Sequence, residues 1–164
     1  MMVVILIGPT ACGKSTVGRA LAEALGWVFV DVDDLSATHG TTQGAARPQA
    51  GAHERRDDGV RETRALIDRA MDRSESLVVA CPAIRTRDRD TLRDDWRQIR
   101  FVYLKTPRAV LESRLEQRSD RGLTSKELHT ELMAVEDPGE SALTLDGSKP
   151  PDILVPMICR EFGL

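Results

Sequence analysis

Aromatic side chains are scarce: three Phe, two Trp and one Tyr make up 4% of the 164 residues. A surface that stacks the bases of single-stranded nucleic acid needs several such rings along one groove, so that class of function is excluded. An excess of charge of one sign is missing too. With 23 Lys and Arg against 26 Asp and Glu, the net charge is −3, too weak a field to draw the chain to nucleic acid or to a membrane surface. No apolar run approaches the roughly 20 residues of a membrane span. The apolar start, residues 3–7, runs directly into a glycine loop, so it reads as core and not as a leader peptide. Cysteine is rare. Cys12, Cys81 and Cys159 are odd in number and scattered, which argues against a disulfide framework. The expected setting is reduced and cytoplasmic.

What is present is an ordinary single-domain composition, 41% hydrophobic and 30% charged. One stretch organises it: Gly8-Pro9-Thr10-Ala11-Cys12-Gly13-Lys14-Ser15-Thr16. The pattern fits a phosphate-binding loop, and its flanks fit as well. The β-branched run at 3–7 predicts a buried strand; Val17, Ala20, Leu21, Ala24 and Leu25 recur at helical spacing up to Gly26. Gly8 and Gly13 permit the tight path that turns successive N–H groups toward phosphate oxygens, with Ala11, Cys12 and Thr16 supplying further backbone. The helix start adds unpaired N–H groups. Lys14 can bridge the β- and γ-phosphates, and the Ser15 hydroxyl can ligand Mg²⁺. The expected ligand is ATP or GTP. Cys12 reads as a small residue within the loop.

Residues 28–31 predict a second strand ending in Asp31-Val32-Asp33-Asp34. Alternation puts Asp31 and Asp33 on one side if the strand extends that far. At a strand end one carboxylate can hold Mg²⁺ through water, with Asp31 the candidate, and another can take a proton from a substrate hydroxyl. Residues 36–56 are small and polar, with His39 and His53, and predict a flexible acceptor-side segment. A helix is expected from Asp57 to about Arg73, with Arg61 as a candidate anion ligand. The third strand, residues 77–81, leads to Arg85, a second candidate. The alternating charges from Arg85 to Arg97 predict an exposed helix. A fourth strand (101–104) precedes a helix opened by Pro107. It puts Arg114 and Arg118 one turn apart. Another helix (124–135), a strand (142–146) and a last helix burying Ile153, Leu154, Met157, Ile158 and Phe162 complete the chain. Pro156 makes the start of that helix ambiguous. Five strands alternating with helices specify an α/β fold with a five-stranded parallel sheet covered on both faces, a P-loop NTPase-type three-layer sandwich in one domain, 1–164.

The chain also resembles a known family. Phe101-Val102-Tyr103-Leu104-Lys105, Glu112-Ser113-Arg114-Leu115 with Arg118, Glu136-Asp137-Pro138 and Val79-Ala80-Cys81-Pro82-Ala83-Ile84-Arg85 look like bacterial-type gluconokinases. The resemblance implies an ATP- and Mg²⁺-dependent kinase with a lid at 118–136, often dimeric, and phosphorylation of a small sugar acid such as gluconate. It also implies that Asp33 orients or deprotonates the acceptor hydroxyl, that Arg61, Arg85 and Arg121 hold the acceptor, and that Arg114 and Arg118 neutralise the transferring group. It seats adenine at residues 146–150, including Pro150. The chain departs from the pattern on the acceptor side. The His-Pro and Gly-x-Pro-Leu-x-Asp-x-Asp-Arg segments are not intact, and Arg121 stands where many gluconokinases have His. Gly59-Val60-Arg61 instead looks like the Gly-Phe-Arg of shikimate kinases. Two other readings therefore stand beside it: a kinase for shikimate, a nucleotide or an antibiotic, and a nucleotide-binding regulatory module without turnover.

Overall fold

The computed structural model describes residues 1–34, 52–93, 98–117 and 125–164, with the backbone alone at 52–56 and 125. Five strands form one sheet: β1 (Val3–Ile7), β2 (Val28–Asp31), β3 (Leu77–Ala80), β4 (Ile99–Lys105) and β5 (Leu143–Asp146). All pairs are parallel, and the spatial order is β2-β3-β1-β4-β5. The helices are α1 (Lys14–Leu25), α2 (Ala52–Asp72), α3 (Thr86–Arg93), α4 (Arg108–Glu116), α5 (Ser125–Met133) and α6 (Pro151–Phe162). The strands are short, apolar on both faces and separated by helices, which is the pattern a doubly covered parallel sheet demands.

Alternation along the strands divides the core in two. Val4, Leu6, Val78, Val102, Leu104 and Leu145 face α1, α4, α5 and α6, meeting Leu21, Leu111, Leu128 and Leu154. Ile5, Ile7, Val79, Phe101 and Tyr103 face the other way, against Val60 and Ile67 of α2 and Leu92 of α3. Each fully buried Leu, Ile or Phe contributes roughly 1.5–3 kcal/mol over leaving it in water. β1 is central and wholly buried, so the loop that follows it stands on the stiffest part of the sheet.

Several elements differ from expectation. β2 stops at Asp31, and residues 32–34 turn helical. The Asp33 N–H donates to Asp31 Oδ1 at 3.2 Å, a side-chain turn that competes with strand extension. Asp31 and Asp33 are therefore not strand neighbours on one face. Helix α2 begins at Ala52 instead of Asp57; Ala, Glu and Arg at 52–56 are good helix formers. Residues 35–51, the rest of the acceptor-side segment, lie outside the described residues. Helix α3 is not simply exposed, because Asp88 and Arg89 are buried. The Arg89 guanidinium donates to Ile84 O and Thr86 Oγ1, both at 3.1 Å, which turns the charged face back onto the loop after β3. Helix α6 does start at Pro151, with Pro156 inside it. Its buried stripe is Leu154, Val155 and Ile158, while Ile153 and Met157 are exposed. Pro156 is exposed as well, so the carbonyl it leaves unbonded falls on the side open to water.

Candidate active site

The loop between β1 and α1 is built from backbone that few residues tolerate. Gly8 and Gly13 have φ of 144° and 106°, and Ala11 also takes a positive φ of 66°. Such values suit glycine, and Ala11 sits there at a cost of roughly 1 kcal/mol or more. The Lys14 side chain curls back over the loop. Its Nζ donates to Gly8 O at 2.9 Å and Pro9 O at 3.0 Å. Burial works against the Lys14 charge, while the Cys12 sulfur and the carboxylates of Asp33, Glu131 and Asp31 favour it; the balance lies upward. Lys14 is thus a buried cation held by carbonyls of its own loop. Burial pushes the Cys12 thiol up despite Lys14 beside it, which keeps that sulfur protonated and poorly nucleophilic.

β2 brings carboxylates to the same end of the sheet. The Ser15 hydroxyl donates to Asp31 Oδ2 in a short hydrogen bond. Two hard oxygen donors, one neutral and one anionic, thus stand together at the helix start, a donor set suited to Mg²⁺. Among the described residues no group of three or more His, Cys, Asp or Glu is placed to hold a metal. Asp33 is exposed and close enough for its charge to act on Lys14.

From the same face of the sheet as α1, Arg114 of α4 donates through Nη1 to Ala11 O and Cys12 O, both at 3.2 Å. Its guanidinium lies across the loop near Gly13. Arg118 and Arg121 lie outside the described residues. Arg61 is exposed and paired with Asp58 at 2.6 Å on α2, so in this state it is engaged on its own helix. At Gly59, two residues before Arg61, α2 runs close to Val32 and Pro82 at the ends of β2 and β3. Arg85 lies in the loop after β3, and its carbonyl accepts the N–H groups of Asp88 and Arg89 that begin α3. Nearby, Thr63 Oγ1 donates to Gly59 O at 2.7 Å and lies 3.1 Å from Cys81 Sγ. Burial raises the Cys81 thiol to about 12 despite that contact.

Three residues at the loop were not singled out from sequence. Thr106 is buried, with its hydroxyl 3.5 Å from Cys12 O. Its place just beyond β4, at the same end of the sheet as the loop, was the available signal. Gly147 follows β5 and donates its N–H to Lys105 O at 2.9 Å. A Cβ there would stand 2.1 Å from Thr106 Oγ1 and 3.1 Å from Cys12 O. The turn at 146–150, with exposed Pro150 at its end, is thereby seated against the phosphate loop. Hydrogen bonds from the Ser148 hydroxyl and amide hold the Asp146 carboxyl below the usual range. The third residue is Glu131, whose Oε2 accepts the Thr10 N–H at 3.2 Å from 121 positions away; nothing local in the sequence signals it. Gly147→Ala is expected to lose about 1–3 kcal/mol through overpacking, lowering Tm by about 3–10 °C. Nucleotide binding should weaken with it; thermal melts and a nucleotide titration measure the two effects.

Comparison with known proteins agrees with this geometry. Residues 3–137 match the family model described as "AAA domain". The thermoresistant gluconokinase of Escherichia coli is 30% identical over 138 residues, covering 82% of this chain and 77% of that protein. A crystal structure of a gluconokinase from Sinorhizobium meliloti superposes with TM-score 0.72 at 30% identity, covering 94% of this chain and 87% of the other. A shikimate kinase from Acinetobacter baumannii, in complex with shikimate, gives TM-score 0.76 at 27% identity, covering 99% and 93%. Among the described residues no helix is long and apolar enough to cross a membrane. The chain belongs to the AAA-domain family of P-loop kinases, the group of gluconokinases and shikimate kinases, and is an ATP-dependent small-molecule kinase.

Proposed function

We propose that this kinase moves the γ-phosphoryl group of ATP to a hydroxyl of a small sugar acid, with gluconate as acceptor and 6-phosphogluconate as product. The observation that carries the reading is the convergence of buried Lys14, the Ser15–Asp31 pair and Asp33 at the ends of β1 and β2. Named relatives that are gluconokinases support the choice of acceptor.

In this reading the loop amides of residues 11–16 and Gly8 cradle the phosphates, and the turn ending at Pro150 seats the adenine. Ser15, with Asp31 through water, would hold Mg²⁺, which screens phosphate charge when bound. Asp33 accepts the acceptor hydroxyl proton as its oxygen forms a bond to the γ-phosphorus. The bond from that phosphorus to the β-phosphate oxygen breaks, and ADP leaves. Lys14 stays with the phosphates as charge moves onto the leaving ADP. Arg114, with Arg118, neutralises the equatorial oxygens, an effect that can be worth ~10³-fold or more in rate. Arg61, Arg85 and Arg121 offer bidentate partners for the acceptor carboxylate. Such use of Arg61 requires it to exchange Asp58 for substrate. A single domain over 1–164, a homodimer and a cytoplasmic setting belong to the same reading.

A second acceptor is favoured by one feature, the Gly59-Val60-Arg61 segment, and by the shikimate kinase likeness. One assay separates the two: ADP release from ATP and Mg²⁺ with gluconate, other sugar acids, shikimate or nucleoside monophosphates. Stimulation by gluconate at least tenfold over the acceptor-free rate is the expected result. Stimulation by shikimate alone would move the assignment there. A chain that binds ATP and is stimulated by no acceptor would be a binding module.

A further inference from the structure

Glu131 is a charge in an unexpected place. Loop amides on either side of Thr10 serve phosphate oxygens, yet the Thr10 N–H itself is met by the Glu131 carboxylate at 3.2 Å. The contact is not made by a wandering side chain. One turn earlier on α5, Leu128 is fully buried in the same core cluster as Ala11 and Cys12. Just past α5 the chain is tied to the loop after β3: the Glu136 N–H donates to Ile84 O at 2.9 Å, and Thr86 N–H donates to Glu136 Oε2 at 2.7 Å. Helix α5 is therefore anchored on the core and on its exit, and it presents Glu131 to the loop from a fixed base. Glu131 is also near enough for its charge to act on both Lys14 and Cys12.

A carboxylate oxygen and a phosphate oxygen are both anionic acceptors, and like charges brought together at close range repel. We propose that Glu131 is an internal competitor of the nucleotide phosphates, a residue that sets donor affinity by holding a carboxylate against the loop whose amides phosphate oxygens use. When ADP or ATP binds, the carboxylate stays beside a negative ligand. The resting enzyme is thereby stabilised against the loaded one, and affinity is lower than the loop alone would give. This inference rests on the reading that the phosphate loop holds the donor nucleotide.

The test is calorimetric titration of the full chain with Mg²⁺·ADP and with a Mg²⁺-bound non-hydrolysable ATP analogue. Glu131→Gln keeps the shape and an acceptor oxygen but removes the charge. Glu131→Ala removes the contact. Glu127→Gln, an exposed position in the first turn of the same helix, is the control for charge alone. Both Glu131 variants should bind the two nucleotides about tenfold more tightly than wild type, and Glu127→Gln should match wild type. Should Glu131→Ala fail to fold, the near-isosteric Gln variant decides. Wild-type or weaker binding by Glu131→Gln overturns the proposal, as does equal tightening by Glu127→Gln. If neither wild type nor Glu131→Gln binds nucleotide, the donor-site reading falls and this inference falls with it. If wild type binds and Glu131→Gln is unchanged, the inference alone falls.

Discussion

Lys14→Met should lower kcat by about 10³-fold, the order reached when a cation that stabilises a transferring phosphoryl group is removed. Methionine keeps most of the buried stem and deletes the ammonium. Gly8 O and Pro9 O, which accept from Nζ at 2.9 and 3.0 Å, lose their donor. Carbonyls left without partners cost about 1–3 kcal/mol if no water replaces the donor, so a modest fall in Tm should accompany the loss of rate. Circular dichroism and melting curves on the same sample keep the two effects apart. A folded variant with wild-type turnover would remove the kinase assignment at its root. Lys14→Arg should fail to rescue. The planar guanidinium is a rigid fork, and a compact ammonium is what sits between two carbonyls of one tight loop.

Asp33→Asn should lower kcat by roughly 10²–10⁴-fold, the range for loss of a general base, with the KM for ATP little changed. Asp33 is exposed at the sheet edge where an acceptor would enter. Its backbone N–H is fixed by Asp31 Oδ1 at 3.2 Å, so the side chain is placed by a turn that Asn can also adopt. The variant thus removes the base without moving its neighbours. The split between kcat and KM is informative. A purely structural Asp33 would disturb ATP binding through Asp31 and Ser15, and KM for ATP would rise instead. Asp31→Asn should behave in that second way, because it alters the short contact with Ser15 at the helix start.

The parts of this molecule legible in the sequence were those fixed by neighbours in sequence. Val3 to Ile7, the glycine loop and Lys14 form one continuous statement about strand, turn and helix, and the structure has them in that order. The strands announced themselves by β-branched runs, and a parallel arrangement followed from the intervening helices. Charge patterns were less informative. Asp88 and Arg89 read as solvent-facing, yet both are buried, because Arg89 finds acceptors on Ile84 and Thr86 that only the folded loop offers. The strand end at Asp31 was set by a side-chain-to-backbone bond that alternation does not register. Glu131 and Gly147 were out of reach for a different reason. Each acts on the phosphate loop from more than a hundred residues away. Gly147 matters through the space a Cβ would fill, and Glu131 through one carboxylate oxygen. Neither leaves a local periodicity.

The position of β1 has a consequence for how the chain is made. Val3 pairs with Leu77 on one side and Ile99 on the other. The first strand synthesised therefore has both neighbours only once β4 is made. At a synthesis rate of about 5–20 residues per second, roughly 5–20 s pass before β4 leaves the ribosome. Throughout that interval Val-Val-Ile-Leu-Ile is an uncharged, β-prone segment with at least one open edge, of the length that seeds intermolecular pairing. The strand that gives the phosphate loop its rigid footing in the finished enzyme is, in the nascent chain, a site for association with other chains, and slower translation lengthens that exposure.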